Sequence, residues 1–169
     1  MLIFKAAVLL QIALSPVWPM GNAAELGDPF VIVNKATNTM ALIEGGQVSR
    51  IFPVATGKTD DLTPVGTFRV TVKAVDPYYR KDDIPGGDEK NPLGTRWIGF
   101  DARNTDGRQY GIHGNNNPSS IGKYVSNGCI RMKEDDVQYV YKHLPDGAAV
   151  VVIKSEAGYK EILQQIKRQ

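Results

Sequence analysis

The chain has a single cysteine, two histidines and two tryptophans, no apolar stretch long enough to span a bilayer and no block of one charge. One cysteine rules out an internal disulfide framework. His113 and His143 stand thirty positions apart, and with one cysteine they lack the ligand spacing of a zinc site. No metal is therefore expected, and nothing in the chain suggests an organic cofactor. The formal net charge is only +2, with Lys and Arg scattered among Asp and Glu. A nucleic-acid binder would gather its basic residues on one face, so that class of partner is set aside.

The N-terminus carries the pattern of an export signal. Met1 to Lys5 give a weakly basic start, Ala6 to Leu14 a short apolar run, and Gly21, Ala23 and Ala24 a small-residue site. The run is well short of the roughly 20 residues that a spanning helix needs, and Pro16 and Pro19 would interrupt a longer helix. The expectation is a secretory signal peptide over 1–24 and one exported, extracytoplasmic domain over 25–169. Stable membrane insertion after cleavage is not expected. What remains is enough for one domain with a real core and too short for two.

In an exported chain, cysteines usually come as disulfide pairs or not at all, so a lone thiol suggests use. Cys129 sits in Ser126-Asn127-Gly128-Cys129-Ile130-Arg131-Met132, and His113 lies sixteen positions upstream in Tyr110-Gly111-Ile112-His113-Gly114.

The first half alternates short apolar runs with turn residues, as antiparallel strands do. Strands are expected at Phe30 to Val33, Thr39 to Glu44, Gln47 to Ala55 and Gly66 to about Val75, with Gly45-Gly46 as a two-residue hairpin turn. From Asp76 to Gly94 a loop rich in proline, glycine and charge breaks the pattern; it reads equally as a solvated excursion or a flap over substrate. Strands resume at Thr95 to Phe100 and Gln109 to His113. Val137, Val140, Tyr141 and Leu144 repeat at helical spacing behind Glu134, Asp135 and Asp136, acids favoured at a helix N-terminus. Ala148 to Ile153 reads as a buried strand, and Glu156 to Gln169 as a last helix able to fray.

A cysteine attacks a carbonyl as thiolate, and a free thiol with pKa near 8.5 is mostly protonated at neutral pH. An imidazole is the natural base. Gly128 allows a tight turn that leaves amides free to face an oxyanion. Spacing alone leaves a second reading equally open, a buried apolar cysteine beside a surface histidine. Trp97 and Tyr78-Tyr79 read as groove lining or, more simply, as core. His143 reads as a cation near a helix C-terminus.

The run Gly111-Ile112-His113-Gly114-Asn115-Asn116-Asn117-Pro118-Ser119-Ser120-Ile121-Gly122, leading into Ser126 to Met132, resembles the signature of the L,D-transpeptidase catalytic domain, the YkuD-type family. Thr63-Pro64-Val65-Gly66-Thr67-Phe68 and Asn91-Pro92-Leu93-Gly94-Thr95-Arg96-Trp97 resemble further stretches of it, so the likeness runs from about Asp28 to Ile153. The resemblance implies a mainly β domain with minor α, two packed mixed β-sheets with a catalytic cysteine loop and short helices. It implies Cys129 as nucleophile, His113 as base and later proton donor, and the Gly114 carbonyl as the group that orients the imidazole. Ser126, Asn127 and Gly128 would form the oxyanion and substrate-binding loop, and Arg131 would steady that loop or bind a substrate carboxylate. The partners implied are peptidoglycan stem peptides, donor and acceptor, joined into 3-3 cross-links with loss of D-alanine by a monomer open to capture by carbapenems. An L,D-carboxypeptidase and a non-catalytic wall-binding module are the alternatives. One departure stands out: the commonest motif has a second histidine where this chain has Asn127, which cannot carry a proton or a positive charge.

Overall fold

The computed structural model describes residues 26–169. The expected signal peptide, 1–24, lies outside the described residues. The elements in chain order are β1 (Phe30–Asn34), β2 (Thr39–Glu44), β3 (Gln47–Pro53), β4 (Thr56–Gly57), β5 (Gly66–Val75), β6 (Arg96–Phe100), β7 (Tyr110–His113), β8 (Tyr124–Ser126), β9 (Ile130–Arg131), α1 (Glu134–His143), β10 (Ala149–Ile153) and α2 (Tyr159–Lys167).

Eight strands form one mixed sheet in the order β3-β2-β1-β10-β5-β6-β7-β9, with β4 and β8 paired separately. The two packed layers are the two halves of this sheet, curled over a shared core. β5 makes the curl possible because it serves both halves. Its first residues, Gly66 to Arg69, pair with β10, and its later ones, Val70 to Val75, pair with β6. The register shifts between Val70 and Val72, the kind of bulge that bends a strand and sharpens its twist.

Between the halves lie Val31, Val33, Met40, Leu42, Phe52, Val70, Ile98, Phe100, Ile112 and Ile130, with Val137 and Val140 of α1 and Leu144 just after it closing the core. The alternate residues of β1 and β10 face outward but are not solvated. Phe30, Ile32, Ala149, Val151 and Ile153 pack against Tyr159, Ile162, Leu163 and Ile166 of α2. Those four recur at i, i+3, i+4 and i+7, one face of a helix. The tail helix is thus docked over its length, because each buried aliphatic side chain stabilises by about 1.5–3 kcal/mol.

Gly45 and Gly46 have φ of 59° and 67°, the primed turn expected between β2 and β3. α1 carries Glu134, Asp135 and Asp136 in its first turn and Lys142 and His143 in its last, matching the helix dipole at both ends. Lys73 of β5 caps its C-terminus, donating to the carbonyls of Tyr141 (2.7 Å) and Leu144 (2.8 Å).

The eight-stranded sheet is mixed, as expected, and two of its pairings are parallel. β1 pairs with β10 in parallel, and so does β7 with β9. The second pairing positions the site, because it lays the strand after Cys129 against the strand that ends at His113.

Candidate active site

β7 and β9 pair with Ile112 across from Ile130 and His113 across from Arg131. Cys129, just before β9, therefore comes level with Gly111, and alternation puts Cys129, His113 and Arg131 on one face of the sheet. Trp97 of β6 pairs with His113 from the other side. Its indole stacks on the imidazole, with centroids 5.6 Å apart and planes 16° from parallel. The indole lies flat because Gly99 and Gly111, paired across β6 and β7, offer no Cβ beneath it. Its Nε1–H donates to the Gly107 carbonyl at 2.9 Å. Trp97 is both core and wall.

A cavity of about 500 Å³ opens over this face, lined by Tyr78, Tyr79, Leu93, Trp97, Gln109 and Cys129 among others. The 76–94 loop thus shapes the cavity. It is a folded lobe, not a loose excursion. Tyr79 and Ile84 exchange two backbone hydrogen bonds (2.9 and 3.1 Å), and Asp76 N–H donates to Thr95 O at 2.9 Å across its neck. The buried Asn91 side chain ties the lobe together by donating to the Pro77 and Pro85 carbonyls (2.8 and 3.1 Å).

His113 is buried, and its Nδ1–H donates to the Gly114 carbonyl at 2.6 Å, leaving Nε2 with its lone pair. Burial holds the imidazole down at about 4; the Gly114 and Leu93 carbonyls pull it up, and the Arg131 charge pulls it down. The Cys129 thiol donates to the Gln109 carbonyl at 3.4 Å. Burial raises its pKa, against the Gly111 amide and the Arg131 guanidinium, which lower it. At neutral pH the resting pair is therefore thiol and neutral imidazole, not thiolate and imidazolium.

The loop that carries Cys129 is held from within and from below. Ser126 Oγ donates to the Cys129 carbonyl (2.6 Å) and accepts the Gly128 amide (3.1 Å). Ser126 is buried and closes the turn without facing the cavity. The buried Thr63, in a loop that the resemblance had flagged only as a family stretch, donates to the Gly128 carbonyl at 2.9 Å and accepts the Gly57 amide at 2.9 Å. Gly128 has φ of 133°, and a Cβ there would lie 2.6 Å from the Leu62 carbonyl oxygen. Asn127 is exposed at the tip.

Of the expected site residues, then, Cys129, His113, Gly114 and Arg131 converge, and Ser126, Asn127 and Gly128 shape the loop beside them. Gln109, Leu93 and Thr63 join the site from strand ends and loops that carry no reactive group. His143 lies away from it, with Nδ1 donating to Tyr139 O within α1.

The family model of the L,D-transpeptidase catalytic domain, YkuD, matches residues 28–153. The chain belongs to the L,D-transpeptidase family. This L,D-transpeptidase domain is 54% identical over 159 residues to YqjB of Bacillus subtilis (strain 168), a candidate L,D-transpeptidase, covering 94% of this chain and 89% of that protein. With the candidate L,D-transpeptidase YkuD of the same organism it shares 35% over 132 residues, 75% of this chain and 70% of that one. Its fold matches the solved avibactam carbamoyl enzyme of Ldtfm with a TM-score of 0.60 at 23% identity, over 77% of this chain and 50% of that one. It also matches the catalytic domain of the Enterococcus faecium L,D-transpeptidase with a TM-score of 0.56 at 24% identity, over 74% of this chain and 96% of that one.

Proposed function

We propose that this L,D-transpeptidase domain is a cysteine acyltransferase of peptidoglycan, exported behind a cleaved signal peptide and forming 3-3 cross-links through an acyl-enzyme on Cys129. The observation that carries the reading is that Cys129, which lines the cavity, and the buried His113 share one sheet face, with Nδ1–H of His113 held by Gly114 O and Nε2 left as base.

The resting thiol leaves Gln109 O and turns toward Nε2, which accepts its proton as sulfur attacks the carbonyl between the third residue of the donor stem and its terminal D-alanine. The oxyanion forms beside the Cys129 and Asn127 amides; the Gly128 amide is engaged by Ser126 Oγ and contributes through the shape of the turn. The imidazolium returns its proton to the leaving amine, and D-alanine departs. The side-chain amine of an acceptor stem then attacks the thioester, His113 takes the amine's proton, and the thiolate leaves and is reprotonated. Arg131 lowers the thiol pKa and, with its guanidinium at the site, suits a substrate carboxylate.

Purified stem tetrapeptides incubated with wild-type protein and with Cys129→Ala, followed by mass spectrometry, test this. Wild-type protein alone should release D-alanine, accumulate a Cys129 acyl-enzyme and yield a 3-3 dimer. Tripeptide without dimer would replace the reading with an L,D-carboxypeptidase. Peptidoglycan binding without acyl-enzyme, unchanged by Cys129→Ala, would replace it with a wall-binding module.

A further inference from the structure

We infer that Glu134, the first residue of α1, is a positioning residue of the reaction: its carboxylate grips the peptide plane whose carbonyl orients His113. The inference rests on His113 being the base.

The plane is the peptide bond from Gly114 to Asn115. At one end its carbonyl accepts His113 Nδ1–H at 2.6 Å. At the other its N–H donates to Glu134 Oε1 at 2.9 Å. A trans peptide is rigid, with its C=O and N–H pointing in opposite directions, so fixing the N–H fixes the carbonyl. The result is a chain running from imidazole through one amide to a carboxylate, and a hydrogen bond to a charged acceptor strengthens the carbonyl at the far end of that amide.

The surroundings favour this use. Glu134 Oε2 accepts the Thr95 amide (3.2 Å) and hydroxyl (2.7 Å), so both oxygens are engaged and every partner is a donor. A Cβ on Gly94 or on Gly114 would overlap Oε1, so the carboxylate reaches the peptide only because both positions are glycine. Asn115 is anchored in turn, its Nδ2 donating to Met132 O and its Oδ1 accepting the Asn117 amide at 2.8 Å. Asp135 and Asp136, in the same helical turn, make no such contact among the described residues.

Glu134→Gln tests the inference, since it keeps the shape, removes the charge and turns an amino group toward donors. Acylation by imipenem should slow by about tenfold or more with little change in the concentration for half-saturation, as for outer groups that orient a reactive one. Long-range 1H–15N spectra should show wild-type His113 protonated at Nδ1 alone and the variant as a tautomer mixture, a change that mere destabilisation of the fold would not produce. Thr95→Val, which loosens only the second oxygen, should slow acylation severalfold and stands in if Glu134→Gln does not fold. A folded Glu134→Gln with wild-type acylation and a single Nδ1–H tautomer overturns the role of Glu134. His113→Gln separates the two ideas: wild-type acylation there would instead remove His113 as base and the proposed mechanism with it.

Discussion

At the scale of single residues, Cys129 and His113 are both held neutral by burial, which sets their response to pH. Alkylation of Cys129 by iodoacetamide, followed by intact mass, should accelerate with pH up to and beyond 9 without a plateau near neutrality, because the thiol is raised rather than depressed. Asn127→His should move that profile by less than about one pH unit, since the position is exposed and its charge is screened by water and salt. His113 also couples to stability. Its folded pKa of about 4 lies below the unfolded 6.5. Above pH 6.5 both states hold it neutral and it has no effect; as pH falls toward 4 the unfolded chain takes up the proton first, and folded stability declines by about 3 kcal/mol. Urea unfolding at pH 7 and pH 4 should show a smaller decline for His113→Gln than for wild type. Cys129 and His113 stood out as candidates in the sequence because their motif carries reactive side chains. Glu134 was not, since in the chain it is one of three consecutive acids at a helix start, and only its contacts distinguish it.

At the scale of elements, two segments carry consequences. In the turn before β9, Gly128 combines positive φ with a close carbonyl. Gly128→Ala should cost about 1–3 kcal/mol in urea unfolding and abolish acyl-enzyme formation by displacing Cys129. The C-terminal helix shows the opposite relation between local signal and packing. Its sequence reads as a tail able to fray, yet Ile162 and Ile166 are buried against the outer face of β1 and β10. Ile162→Ala should therefore destabilise the whole domain by about 2–5 kcal/mol, seen as a lower urea midpoint with an unchanged slope. The bounds of β1, β2, β3, β5, β6, β7 and β10 were readable to within a residue or two because alternation and turn residues are local signals, whereas β4, β8 and β9, two or three residues long, are too short to carry one. The partners of those strands were not, and the parallel pairs β1 with β10 and β7 with β9 emerge only from the folded sheet.

At the scale of the molecule, the site is where the curled sheet, the α1 N-terminus and the 76–94 lobe meet. The lobe holds a cavity wall through Asn91, so Asn91→Ala should raise KM for the stem peptide several times more than it lowers kcat, while leaving the pH profile of Cys129 alkylation unchanged. Steady-state kinetics on tetrapeptide with wild type and variant would check this, and an equal fall in kcat would show that the lobe acts on the reacting groups.

What the sequence determined by itself is everything that depends on residue type and near neighbours. That includes the longer strands and the helices, the Gly45-Gly46 turn, and a cysteine and histidine set in a motif that resembles the L,D-transpeptidases. What only the tertiary structure decided is everything that depends on closing long stretches of chain. The bulge in β5 joins two layers into one sheet, Trp97 spreads over a pair of glycines, and the loop around Asn91 becomes a wall. Glu134 of α1 reaches the peptide behind His113, nineteen residues from Asn115 in the chain. Periodicity and propensity act over a few residues, whereas a reacting geometry is built from hydrogen bonds between segments whose separation leaves no trace in the local pattern.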